Sequence, residues 1–238
     1  MQYFLFLVTV FLGASTVFAS SECTVKSDQR RNADGSQLRI TQKQCLDNDS
    51  RTIRIELKPQ SKSAYRTVLL RTQSVAQLKT GGGSLQDIDG DGMYEYVEIG
   101  SCGAGPNCRH EIFKMDQKER KAYLFFDGGY FDFRMISGLY VVSGRSSCCS
   151  WEYQIYRKPI NERTISEQDL LYRITIKKGS VDSPSAQCFI TNKIGSQWFP
   201  IDLKDKQLLK LCELYGESYV LNPTDVMEKQ NLSFLEEN

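Results

Sequence analysis

The chain has 238 residues, with 30 Lys and Arg against 29 Asp and Glu, a formal net charge of +1. Near-neutrality offers no bulk charge for nucleic acid or an anionic membrane. A hydrophobic share of 40%, with 12 Tyr, 12 Phe and only 6 Pro, excludes disorder along the whole length and allows one large domain or two small ones.

Met1 to Ala19 is an apolar stretch ending in Val17-Phe18-Ala19, and it reads as a signal peptide cut before Ser20. A membrane anchor is the rival reading, because no Lys or Arg precedes the run. The run is short for a bilayer span and no basic cluster follows it, so no stable membrane insertion is expected after cleavage. Residues 20–238 are then expected to form a single β-rich domain, with an N-terminal hairpin layer over 20–80, a core over 85–190 and a helical tail over 204–238.

Alternation dominates this region. Ile53, Ile55 and Leu57 share one face, with Arg54 and Glu56 on the other. Trp151, Tyr153 and Ile155 alternate with Glu152 and Gln154, and Leu170, Tyr172, Ile174 and Ile176 with Leu171, Arg173 and Thr175. Each is the pattern of a strand with one buried face. Turn signals recur at Asp34-Gly35, Lys58-Pro59, Asp127-Gly128-Gly129, Ser143-Gly144 and Lys178-Gly179, which predicts mainly antiparallel β structure. Thr80 to Ser84, with three glycines, is the most flexible-looking stretch. Near the end, Leu208, Leu211 and Cys212 fall at helical spacing within 204–214, and Asn222-Pro223-Thr224-Asp225 resembles a second helix entry. One or two short helices are expected against a sheet.

Eight cysteines in an exported chain make disulfides the default. Cys23 and Cys45 flank the Asn32-Ala33-Asp34-Gly35 turn almost symmetrically, so a hairpin brings them opposite one another. Cys188 and Cys212 pair by elimination. Cys102, Cys108, Cys148 and Cys149 permit three connectivities, and strand neighbours point apart, so Cys148 and Cys149 are expected to bridge to separate partners. Zinc is the rival for these four thiols, but their spacing fits it poorly.

The strongest chemical signal is Asp87-Ile88-Asp89-Gly90-Asp91-Gly92-Met93-Tyr94-Glu95. Alternate carboxylates around a glycine turn supply the oxygens that Ca2+ requires, and the Met93 carbonyl would add one more. The alternative is a solvated Asp-Gly turn, which leaves mutual repulsion among the carboxylates uncompensated. Glu98 stands where an EF-hand carries its bidentate glutamate, but an EF-hand needs flanking helices, whereas residues 95–99 alternate like a strand. Glu98 would lie about 10 Å beyond Glu95 and on the opposite face, so the predicted ligands are Asp87, Asp89, Asp91, Met93 and Glu95.

This loop resembles the calcium loops between strands of integrin-type FG-GAP β-propellers. It occurs once, and the chain length allows about four blades at most, so the likeness implies a vestigial, incomplete propeller. From Leu85 to Arg157 the order of calcium loop, Cys loop, aromatic hairpin, Ser137-Gly138-Leu139-Tyr140 and the Cys148-Cys149 strand is similar to secreted calcium-binding vestigial propellers. Those proteins act as periplasmic immunity proteins against lysozyme-like effectors of bacterial-killing type IV secretion systems. The resemblance implies a periplasmic inhibitor with a structural calcium and a lysozyme-like peptidoglycan hydrolase as partner. It also implies that Ser137 and Tyr140 enter the hydrolase cleft, with Gly138 permitting the turn. Read without the resemblance, residues 139–142 could equally open a core strand.

Enzyme chemistry is not expected. His110 is the one histidine, which removes Ser-His-Asp and multi-histidine zinc sites. The alternatives carried forward are a secreted calcium-stabilised interaction or adhesion module and, more remotely, a two-carboxylate carbohydrate-active enzyme.

Overall fold

The computed structural model describes residues 23–45, 50–62, 64–74, 82–103, 105–116, 118, 121–159, 163–178, 186–195 and 197–213. The expected signal peptide and the second C-terminal helix lie outside the described residues.

Three antiparallel sheets follow one another along the chain. The first contains β1 (Cys23–Arg31), β2 (Gln37–Cys45), β3 (Ser50–Lys58) and β4 (Arg66–Ser74), side by side in that order. The second contains β5 (Gly83–Gln86), β6 (Glu95–Cys102), β7 (Cys108–Asp116) and β8 (Lys121–Tyr130), again in chain order. The third runs from β9 (Asp132–Ile136) through β10 (Leu139–Ser147), β11 (Ser150–Tyr156), β12 (Leu170–Lys178) and β13 (Ala186–Ile194) to β14 (Gln197–Pro200). Among the described residues no sheet closes on itself, and the arrangement is consistent with an incomplete propeller. One short helix, α1 (Lys206–Leu209), continues as a 3-10 turn over Lys210–Glu213. Asp205 caps it by accepting from the backbone N–H groups of Gln207 and Leu208.

Strand alternation builds the layers. On β6, Tyr96 packs with Leu38, Ile40, Ile53, Ile55 and Leu57 of the first sheet, while its neighbour Val97 packs with Phe133, Tyr140 and Val142 of the third. On β10, Val141 turns the other way, onto Trp151, Tyr153, Ile174 and the Leu208 and Leu211 side chains of the terminal helix. Each sheet interface is therefore a separate apolar seam, and the second sheet is covered on both faces. The strand faces read from the sequence at Ile53–Leu57 and Trp151–Ile155 are the buried faces.

Two glycine signals that read as turns lie inside strands. Asp127, Gly128 and Gly129 belong to β8 and pair with Glu111, His110 and Arg109 of β7. The Phe126 ring lies over Gly128, where an added Cβ would come within 2.7 Å of it, and Asp127 holds Arg109 in a two-pronged ion pair at 2.9 and 2.7 Å. Gly144 lies within β10, where it makes room for the Asn107 side chain. In both places glycine serves close approach to a side chain and not chain reversal. Gly83 is similar: it opens β5, and the Tyr96 ring occupies the space that a Cβ would need. Gly83→Ala is expected to destabilise the fold by about 1–3 kcal/mol through overpacking, measurable by urea titration. An unchanged midpoint would mean that the Tyr96 ring swings aside freely.

Three disulfides form, Cys23–Cys45, Cys102–Cys108 and Cys188–Cys212. The first joins paired residues of β1 and β2, as the hairpin arithmetic predicts. The expected bridges from Cys148 and Cys149 to separate partners do not form, and the reason is local. Ser147 pairs with Ser150, so the two cysteines are the turn between β10 and β11 and not strand neighbours. His110 is buried, stacks on Tyr130 at 3.8 Å between ring centroids and has Nδ1 2.8 Å from the Cys108 carbonyl, a structural role.

Candidate metal centre

The acidic loop connects β5 to β6. Gly90 and Gly92 adopt φ of 72° and 80°, left-handed values open to glycine at little penalty, and they curl the loop back on itself. Carboxylate oxygens of Asp87, Asp89 and Glu95 come within 4.8 Å of one another. Asp87 Oδ2 accepts from Gly92 N–H at 3.0 Å, and Glu95 Oε2 accepts from Ile88 N–H at 3.1 Å. Asp91 is not in the convergent group: it is exposed, and its Oδ1 accepts from Met93 N–H at 2.7 Å. Met93 stands at the expected loop position, partly buried.

Asp89 is the centre of the arrangement. Its side chain is fully buried, and Oδ2 accepts from Lys114 Nζ at 2.6 Å and from the Tyr140 hydroxyl at 2.9 Å. Its other oxygen, Oδ1, is buried with no hydrogen-bond partner. A buried carboxylate oxygen left in that state is costly unless something outside the protein chain satisfies it. Burial alone would push the Asp89 carboxyl up, but the Lys114 ammonium, then the Tyr140 hydroxyl and, least, the Asp91 backbone N–H outweigh it and hold the group below its ordinary value. Glu95 goes the other way: burial pushes it up to about 7, and Lys114, 3.4 Å from Oε1, offsets only part of that. Lys114 is held above its ordinary value despite burial, by Glu95 and Asp89 together.

The first sheet reaches this loop as well. Asn32, buried in the β1–β2 turn, accepts the Tyr94 N–H on Oδ1 at 2.9 Å, and Ala33 N–H donates to the Gly92 carbonyl at 2.8 Å. The third sheet contributes Tyr140. The loop is thus the point where elements of all three sheets meet, and Lys114, Asn32 and Tyr140 are the members that sequence spacing did not show. Asn32 was legible only as a turn residue.

Glu98 is on the opposite side of β6, as strand periodicity requires. It pairs with Arg51 of β3 at 2.8 Å and with Arg71 of β4 at 3.4 Å.

Ser137 and Gly138 form the two-residue turn between β9 and β10, with φ of 52° and 75°. Both are exposed, and Ser137 Oγ donates to Gln207 Oε1 at 2.9 Å. Tyr140 does not share that exposure. It is fully buried among Phe125, Phe133 and Val142, with its hydroxyl on Asp89, so the expectation that it projects beside Ser137 is corrected. The physical reason is strand periodicity and burial: residue 140 falls on the inward face of β10, where its ring fills the seam between the second and third sheets.

Stacked antiparallel meanders with a carboxylate loop between two strands define a mainly β, multi-sheet protein whose arrangement is consistent with a vestigial propeller. No family model and no curated protein matches the chain. Among solved structures it is similar to one described as "Structure of a Xanthomonas Type IV Secretion System related protein", with 10% sequence identity and a TM-score of 0.42. The match covers 74% of this chain and 93% of that one. The three disulfides are compatible with an oxidising compartment. Among the described residues no helix is long and apolar enough to cross a membrane.

Proposed function

We propose that the acidic loop holds a structural Ca2+ and that the protein is a periplasmic, calcium-stabilised binding protein, not an enzyme, directed at a lysozyme-like peptidoglycan hydrolase. The observation that carries the metal reading is the orphaned, buried Asp89 Oδ1 beside the convergent Asp87 and Glu95 carboxylates. Asp87, Asp89 and Glu95 would hold the ion, with Asp91 and the Met93 carbonyl within the same loop. One ammonium against the three convergent carboxylates leaves negative charge that a divalent cation neutralises. The ion would tie down a loop on which all three sheets converge, so its contribution is rigidity.

The choice of partner rests on the sequence resemblance. The exposed Ser137-Gly138 turn is the part of the implied inhibitory loop that is available for contact, and Tyr140 supports it from below by linking β10 to the metal loop. The burial of Tyr140 also favours a second reading, an interaction module without inhibitory activity.

A peptidoglycan-lysis and pull-down assay against lysozyme-type hydrolases, with calcium and with chelator, tests both. Ser137→Gly removes the hydroxyl while easing a left-handed turn position, so the fold should be as stable as before or slightly more so. Suppressed lysis that weakens about tenfold or more in Ser137→Gly, with no loss of melting temperature, supports the inhibitor. Tyr140→Phe should instead reduce the stabilisation by calcium. Absence of binding to any such hydrolase, while calcium still raises the melting temperature, leaves the interaction module.

A further inference from the structure

The Cys148-Cys149 pair is not absorbed by the metal centre. The other six cysteines are bridged among themselves, and these two occupy the turn between β10 and β11 with Sγ atoms 2.7 Å apart. That separation is inside the contact distance of two non-bonded sulfurs and only somewhat longer than a disulfide of about 2.05 Å. Cys148 is exposed and Cys149 half-buried. Arg145 holds the turn from within, donating from Nε to the Ser147 carbonyl at 3.0 Å and from Nη2 to the Cys148 carbonyl at 2.6 Å. Its guanidinium therefore braces the backbone of the turn and keeps the two side chains together, while the adjacent Cys148 thiol holds the Cys149 thiol above its ordinary value. A cleft of about 440 Å3, lined by Gly103, Gly105, Asn107, Arg145 and Cys148, opens alongside and gives a small thiol-directed molecule access.

We propose that Cys148-Cys149 is a redox modification site: a vicinal dithiol that closes to a disulfide by exchange with a low-molecular-weight disulfide and reopens under mild reductant. The exposed Cys148 thiolate attacks one sulfur of the oxidant, forming a mixed disulfide and expelling the first thiolate. Cys149 Sγ then attacks Cys148 Sγ, closing the vicinal bond and expelling the second. The two protons lost by the cysteines end on the two thiols released, and the oxidant gains the two electrons that the pair gives up. Joining adjacent residues closes a small ring that includes their peptide bond, whereas the other bridges join residues 22, 6 and 24 positions apart, so the vicinal bond is the more constrained and the more easily reduced.

The test is intact-mass and peptide mapping of the full protein after equilibration with oxidised and reduced glutathione at a series of ratios, followed by alkylation. The expected result is reversible loss of two hydrogens from the Cys148-Cys149 peptide, at ratios that leave the other three bridges intact, with no bound glutathione. Cys149→Ser should stall at the mixed disulfide, carrying one glutathione on Cys148. Three results overturn the proposal: both thiols alkylated unchanged at every ratio, Cys148 or Cys149 mapped to one of the other six cysteines, or a disulfide-linked dimer as the main oxidation product.

Discussion

Removing calcium with a chelator is expected to lower the melting temperature substantially at about pH 8 and much less at about pH 5. The difference comes from Glu95, whose carboxyl is pushed up to about 7 in the folded protein from an ordinary 4.5, by burial first and by Asp89 and Asp91 as lesser contributors. Without a cation, the folded chain keeps a proton on Glu95 that the unfolded chain releases. That contribution to stability is fully present below about 4.5 and is lost as pH rises through 7. The gap corresponds to something on the order of 3 kcal/mol, or roughly 6–12 °C for a chain of this size. A bound Ca2+ needs the ionised carboxylate, so its stabilising effect grows across the same interval. Asp89→Ala should abolish the calcium-dependent part and leave a protein whose melting temperature is the same with calcium or chelator. Calcium-independent melting of the unmodified protein at both pH values would remove the metal reading, and a calcium increment that survives in Asp89→Ala would move the site elsewhere.

Arg51→Met is expected to cost about 3–5 kcal/mol, which for a marginally stable domain is a large share of the whole. Arg51 and Glu98 have 4% and 3% of their side-chain surface exposed, and their 2.8 Å ion pair joins the first sheet to the second inside the protein. Deleting the arginine leaves a buried carboxylate with only Arg71, at 3.4 Å, and Arg71 already pairs with Glu111 at 2.7 Å. The loss should therefore fall toward the lower end of that range. Arg51→Met/Glu98→Leu removes both buried charges and keeps the Arg71–Glu111 pair, so most of the loss should be recovered. Urea titrations of the two variants decide the matter. A single variant within about 1 kcal/mol of the parent, or a double variant no better than the single, would show that the pair is solvated or is coupled differently.

Much of the architecture is legible in short-range patterning. The period-two faces at Ile53–Leu57 and Trp151–Ile155, the Asp34-Gly35 turn and the Cys23–Cys45 pairing follow from strand geometry and loop length alone. So does the rejection of Glu98 as a ligand, since three residues along a strand reverse the face. Less legible were the glycines: Gly128 and Gly144 carry the same letters as a turn, but Gly144 meets the Asn107 side chain, which the local sequence does not contain, and Gly128 meets the Phe126 ring two residues back only because both lie in β8.

By itself, the sequence determined which residues could donate oxygens to an ion, because carboxylates and glycines in one short loop are a local chemical fact. Only the tertiary structure decided that Asp87, Asp89 and Glu95 converge while Asp91 faces outward, that Lys114 and Tyr140 occupy one oxygen of Asp89, and that the other is left buried and unsatisfied. These depend on residues brought together from β7, β10 and the acidic loop. Burial, which sets both the orphaned oxygen and the raised Glu95 carboxyl, is a property of sheets packed on one another and has no representation in the order of the residues.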